Sequence, residues 1–151
     1  MSPERPFDEV MHSLEARPQE AAFRPCAWYN PDGDAWEIYL TPEPHVAERV
    51  DPLFTVLVAD ADRNRVVGVV IKNIKKHFGP AGLTSALCAT GHATVRLLLQ
   101  GALFAHEYNL IRHPDRRSSA SQPNASRVQE ILDQVGDVEV DLTNREALVG
   151  Q

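Results

Sequence analysis

The sequence predicts an α+β domain: a four-stranded antiparallel meander covered by a long apolar helix, with a short helix at each end. Three observations carry this. Residues 35–40 read Ala-Trp-Glu-Ile-Tyr-Leu, an alternation with period two that marks a half-buried strand. Residues 66–71 read Val-Val-Gly-Val-Val-Ile, apolar on both faces, as expected of a strand covered on both sides. Residues 95–104 are apolar nearly all the way round a helix, which places that helix in a core or at a subunit interface. The chain of 151 residues is one ordinary domain, large enough to fold on its own core.

The elements follow in order. Phe7, Val10, Met11 and Leu14 recur at helical spacing, so 7–16 is expected to be an amphipathic helix. The β-meander spans 26–74. Its first strand is 26–30, and Asn30-Pro31-Asp32-Gly33 turns the chain, because proline presets φ and glycine permits φ > 0. In the second strand Trp36, Ile38 and Leu40 face the core, with Glu37 on the solvent side. Pro42 and Pro44 end it. Residues 45–51 read as one helical turn or an irregular link. The third strand is 53–59 and the fourth 66–71, joined by a polar loop with Asn64 suited to a left-handed position.

After the Gly79-Pro80-Ala81-Gly82 break, 83–111 reads as an apolar helical segment, with an interruption near Gly91 left open. Residues 113–123 form a linker rich in Ser, Arg and Pro, and 124–151 a C-terminal helix and tail. Ser126 to Gln129 fits a capping box, and Gly136 stops the helix. Val138 and Val140 suggest an edge strand.

Composition narrows function. The net charge of −6 argues against indiscriminate nucleic-acid binding, which depends on neutralising phosphates. Acids crowd into the first third, and residues 52–111 are mildly basic. Cys26 and Cys88 have no metal-type spacing and read as free thiols of a reducing compartment. The first residues lack an apolar run of the signal-peptide type, and 78–95 is too weakly apolar to span a bilayer. A cytoplasmic protein is expected.

The chemistry-bearing residues are sparse. Asp60 to Asn64 and Asn30 to Asp34 imitate calcium loops, but each lacks the sixth-position glycine and the twelfth-position glutamate. His106 and His113 are seven residues apart, about 10 Å along a helix, too far for one zinc ion. No nucleophile elbow, phosphate loop or dinucleotide fingerprint is present. Asp32 and Asp34 sit in what reads as an exposed turn, where nothing would tune a carboxylate for acid catalysis. Neither metal nor cofactor is expected.

Residues 29–40 and 62–74 together resemble the small bacterial domain-of-unknown-function family 2283. The likeness rests on the aspartate-rich turn, Ala35-Trp36-Glu37-Ile38-Tyr39-Leu40, and Val66-Val67-Gly68-Val69-Val70-Ile71. It implies a compact meander followed by a helix, no established catalytic residues, and an antitoxin-like role as seen in gene pairs of the toxin–antitoxin type.

Two functional expectations follow. The favoured one is a non-catalytic protein-interaction or regulatory module, homodimeric through its apolar helix. Its partner surface would be the basic run Lys72, Lys75, Lys76 and His77, suited to an acidic protein. The alternative is a small-molecule-binding protein or enzyme with a pocket near His92, Arg96 and His106.

Overall fold

The computed structural model describes residues 23–80, 82–116 and 123–149. The expected helix over 7–16 lies outside them, as do residues 117–122 of the expected linker. The described chain is α+β, but its sheet is seven-stranded and mixed. The strands are β1 (Cys26–Asn30), β2 (Ala35–Tyr39), β3 (His45–Arg49), β4 (Phe54–Ala59), β5 (Val66–Lys72), β6 (His92–Thr94) and β7 (Glu139–Thr143). Their order across the sheet is β3-β4-β5-β2-β1-β7-β6.

The four-stranded antiparallel meander is therefore corrected. β2 does not pair with the strand that follows it. Leu40 to Pro44 carries the chain off the edge of β2, and 45–49 forms the strand β3 instead of a helical turn. Asp51 makes this possible. Its Oδ1 accepts from the backbone N–H groups of Leu53 and Phe54, which closes the tight turn between β3 and β4. β5 then returns antiparallel to β4 on one side and to β2 on the other. A strand apolar on both faces ends up in the middle of the sheet, where both faces have apolar neighbours.

Close packing fixes that insertion. A Cβ at Gly68 would lie 2.4 Å from the Ile38 carbonyl oxygen and 2.8 Å from Leu57 Cδ1, so only glycine lets β5 seat between its neighbours. β7 is also interior, parallel to β1 and antiparallel to β6, where the sequence suggested an edge.

The helical segment expected over 83–111 divides at the interruption left open near Gly91, into α2 (Thr84–Thr90), the strand β6, and α3 (Val95–Arg112), after the short α1 (Ile74–Phe78). Gly91 at φ 86° makes the division, a conformation that a residue with a Cβ resists. Thr94 then caps α3 by accepting from Leu97 N–H. A 3₁₀ turn follows at Pro114–Arg116, then α4 (Ala125–Val135) and α5 (Glu146–Val149). The cap of α4 is Asn124, whose Oδ1 accepts from Arg127 N–H, not Ser126. Asp51 Oδ2 accepts the Asn124 N–H from the far side, tying the β3–β4 turn to the start of α4.

One continuous core joins one face of the sheet to the helices. It holds Trp36, Ile38, Phe54, Val56, Ile71, Phe78, Leu98, Leu99 and Ile131, all at most 2% exposed. The opposite face carries a smaller cluster of Tyr39, Leu57, Ala59 and Val67. Glu37 lies on that second face, half-buried, and accepts hydrogen bonds from Asn30 Nδ2 and the Tyr39 hydroxyl. It is not the free solvent-side residue the alternation suggested.

Trp36 and Glu37 thus give a test of register. Trp36→Ala should cost ~3–5 kcal/mol of unfolding free energy in urea, as removal of a large buried aromatic does. Glu37→Ala should cost about 1 kcal/mol, since it strips two donors of their acceptor on a partly wet face. Equal losses would place β2 in the wrong register.

Candidate functional site

The basic run lies where β5 turns into α1. Asn73, at φ 60°, makes the turn and gives α1 no side-chain cap. Asp34 supplies one from the β1–β2 turn. Its Oδ1 accepts from Lys75 N–H at 2.8 Å and from the Tyr29 hydroxyl at 2.7 Å, while its carbonyl oxygen accepts from Ile74 N–H. Asp34 is therefore a structural anchor between elements and not part of a free turn. Burial and the adjacent carboxylate together hold the Tyr29 phenol above its ordinary range.

Lys76 is exposed, and Lys72 and Lys75 are half-exposed. His77 turns the other way. Its ring meets that of His106 on α3, with centroids 5.7 Å apart, and its Nδ1 is buried with no hydrogen-bond partner. One residue from each of the two expected sites thus meets at the α1–α3 junction. Asn109 locks that junction by donating to the carbonyls of His77 and Ala105.

The alternative pocket is dispersed. His92 Nδ1 stands 2.8 Å from Glu139 Oε1 on β7. Arg96 pairs with Asp137 at 3.2 Å, and its guanidinium also packs against Gly136. His106 lies ten residues beyond Arg96 on the same helix, about 15 Å along the axis. No group of three or more His, Cys, Asp or Glu among the described residues is placed to hold a metal ion. No described helix is long and apolar enough to cross a membrane.

Among the described residues, concavities lie elsewhere. An open polar groove of about 630 Å³ runs between β3 and α4. Arg127 crosses it, bonded to Glu130 at 2.7 Å and near Glu48 at 3.6 Å, so its charges largely satisfy one another. Another is an apolar hollow of about 100 Å³, lined by Phe78, Leu83, Leu87, Thr90, Leu97 and Gly101. It opens beside the outward face of α3.

The sequence left this helix open between a core and a subunit interface, and the structure divides its residues between an inward and an outward face. α3 buries Val95, Leu98, Leu99, Ala102, Ala105 and Leu110. Yet Leu97, Phe104 and Ile111 are 55%, 56% and 66% exposed. They recur every seven residues, with Gly101 and Tyr108 between them, which is the spacing of a coiled-coil seam. Phe104 stacks on Tyr108 at 6.2 Å, and Arg112 lies 5.8 Å over the Tyr108 ring. The signal was present as a period of seven. It was hidden because the inward residues of the same helix are equally apolar.

Cys26 is a half-buried free thiol, and burial with the nearby Asp141 carboxylate raises its pKa away from a reactive thiolate. Comparison with protein-family models, curated proteins and solved structures finds no match to this chain.

The histidine junction sets a pH dependence. Burial, then the neighbouring His106 and Lys76, push the His77 imidazole below its ordinary value of 6.5, against an opposing pull from Asp34. The unfolded chain takes up a proton at that position more readily than the folded one. This contribution to stability is full above about pH 6.5 and is lost as the pH falls below it. The urea midpoint should drop between pH 7.5 and 5.5, and His77→Gln should shrink the drop. An unchanged drop in the variant would show that the junction does not titrate.

Proposed function

We propose that this protein is a non-catalytic protein-interaction module that docks through the outward face of α3. The observation that carries this is the seven-residue recurrence of Leu97, Phe104 and Ile111, each more than half exposed on an ordered helix. Large apolar side chains gathered in one row on a surface mark an interaction site. Supporting it, the residues that resemble reaction chemistry are engaged in holding the fold. Asp34 caps α1, Asp51 ties a turn to α4, and His92 and Arg96 pair with acids of β7 and the turn before it.

The lysines keep a secondary place in this reading. Lys72, Lys75 and Lys76 would steer an acidic partner mainly through the association rate, an effect that salt weakens. The antitoxin-like role implied by the resemblance over 29–74 belongs to the same proposal, as its regulatory side.

Quantitative affinity purification from the native host tests it. Tagged wild-type chain should retain a stoichiometric protein, whether a second copy or another chain. Leu97→Glu with Ile111→Glu should abolish that retention and leave the melting temperature within about 2 °C, as exposed substitutions do in a domain of this size. Lys72→Glu, Lys75→Glu and Lys76→Glu together should slow association at low salt without abolishing it. Retention unaffected by the α3 variant but lost with the lysine variant would move the docking surface to the basic run and overturn the proposal.

A further inference from the structure

We infer that the occupant of the α3 face is a second copy of this chain, paired antiparallel so that Phe104 of each copy enters the hollow beside Gly101 of the other. The inference rests on the interaction reading above and deepens it. Its ground is that the surface is its own complement. Along the row Leu97, Gly101, Phe104, Tyr108 and Ile111, the position without a side chain stands three residues from an exposed aromatic ring. An antiparallel partner in the a/d register of a coiled coil sets Phe104 against Gly101, and Leu97 against Tyr108, twice over. Knob and hole lie on one helix, so the contact closes on itself with twofold symmetry and leaves no open end.

The hollow fits the ring. At about 100 Å³ it is shallow but apolar, floored by Phe78 and Leu83 and walled by Leu87 and Leu97. Engineered apolar cavities of about 150 Å³ accept benzene, so a phenyl edge is of the right scale for an open site of this volume. The knob is pre-ordered. Phe104 stacks on Tyr108, which Arg112 covers, so little rotamer freedom remains to be lost on docking.

The length of α3 suits the same pairing. The 18 residues of α3 make a face about 27 Å long.

Light scattering and sedimentation from 1 to 100 µM test the pairing directly. The full chain, 16.8 kDa, should run at twice that mass. Phe104→Ala should weaken the dimer at least tenfold. Gly101→Ala gives the more discriminating result. A Cβ there would sit 3.9 Å from Leu83 Cδ1 and the Phe78 ring, ordinary contact distances, so the fold accepts it. Alanine also favours the helix over glycine. The variant should therefore melt no lower than wild type while its dimer weakens at least tenfold, and Gly101→Leu should leave only monomer.

Spin labels on Arg112→Cys fix the direction: about 30 Å between labels for the antiparallel pair, roughly 10 Å for a parallel one, from the helical rise. A monomer at 100 µM, a dimer indifferent to both Gly101 variants, or labels at the short distance would each overturn the inference. A monomeric wild type that still retains a foreign chain through Leu97 and Ile111 would leave the broader interaction reading standing, so the two failures are distinct.

Discussion

The carboxylate of Asp34 is the contact that positions α1 and, through it, the proposed docking surface. Asn30 Oδ1 accepts from the backbone N–H groups of Asp32 and Gly33, which shapes the turn, and the chain passes Asp34 at φ 51°. That left-handed residue aims its side chain across the sheet at a helix start that Asn73 leaves uncapped. By holding Tyr29, Ile74 and Lys75 at once, it joins the β1–β2 hairpin to the end of β5 and sets the direction of α1. Five residues make too short a helix to persist alone. α1 exists because Asp34 starts it, Ile74 and Phe78 are buried beneath it, and Asn109 of α3 holds its last turn. Phe78 in turn floors the apolar hollow.

A second constraint acts within the sheet. β5 must lie between β4 and β2, and Gly68 permits it, since any side chain there would strike the Ile38 carbonyl oxygen. With β5 central, its end delivers the chain next to the β1–β2 turn, where Asp34 waits. The bulge between Leu57 and Val58 lets β4 follow β5 past this close approach. Asp51 does for the other edge what Asp34 does here, closing the β3–β4 turn and anchoring the first residues before α4. Two aspartates that look like ordinary turn residues in the sequence therefore hold both layers in register.

What was legible in the sequence was local. The alternation at 35–40 and the apolar run at 66–71 named their strands, because side-chain period reports burial on one face or two. The pairing order was not legible. Nothing in 45–49, with one valine and one alanine among His, Glu and Arg, favours a strand; β3 forms because Asp51 folds it back on β4. β6 has three residues and exists because β7 arrives from more than forty residues away to pair with it. His77 was read with the lysines because it is adjacent in sequence. A helical step of one residue rotates the side chain by about 100°, which here turns it from solvent toward His106.

The same geometry explains why the sequence of α3 could not say which of its residues face the core and which face outward. Apolar residues on its inward face and on its seam together erase the amphipathic contrast by which a surface helix is recognised. Two environments, each apolar, produce one uniform sequence. The inner one is this chain's own sheet, reached by Leu98, Leu99, Ala102 and Ala105, which leave solvent entirely or nearly so. That sheet cannot also cover Leu97, Phe104 and Ile111, which point the other way. Large apolar side chains gathered in one row on a surface mark an interaction site. The glycine set within that second face, beside a hollow and three residues from an exposed phenylalanine, is the feature on which the proposed pairing with an identical helix rests.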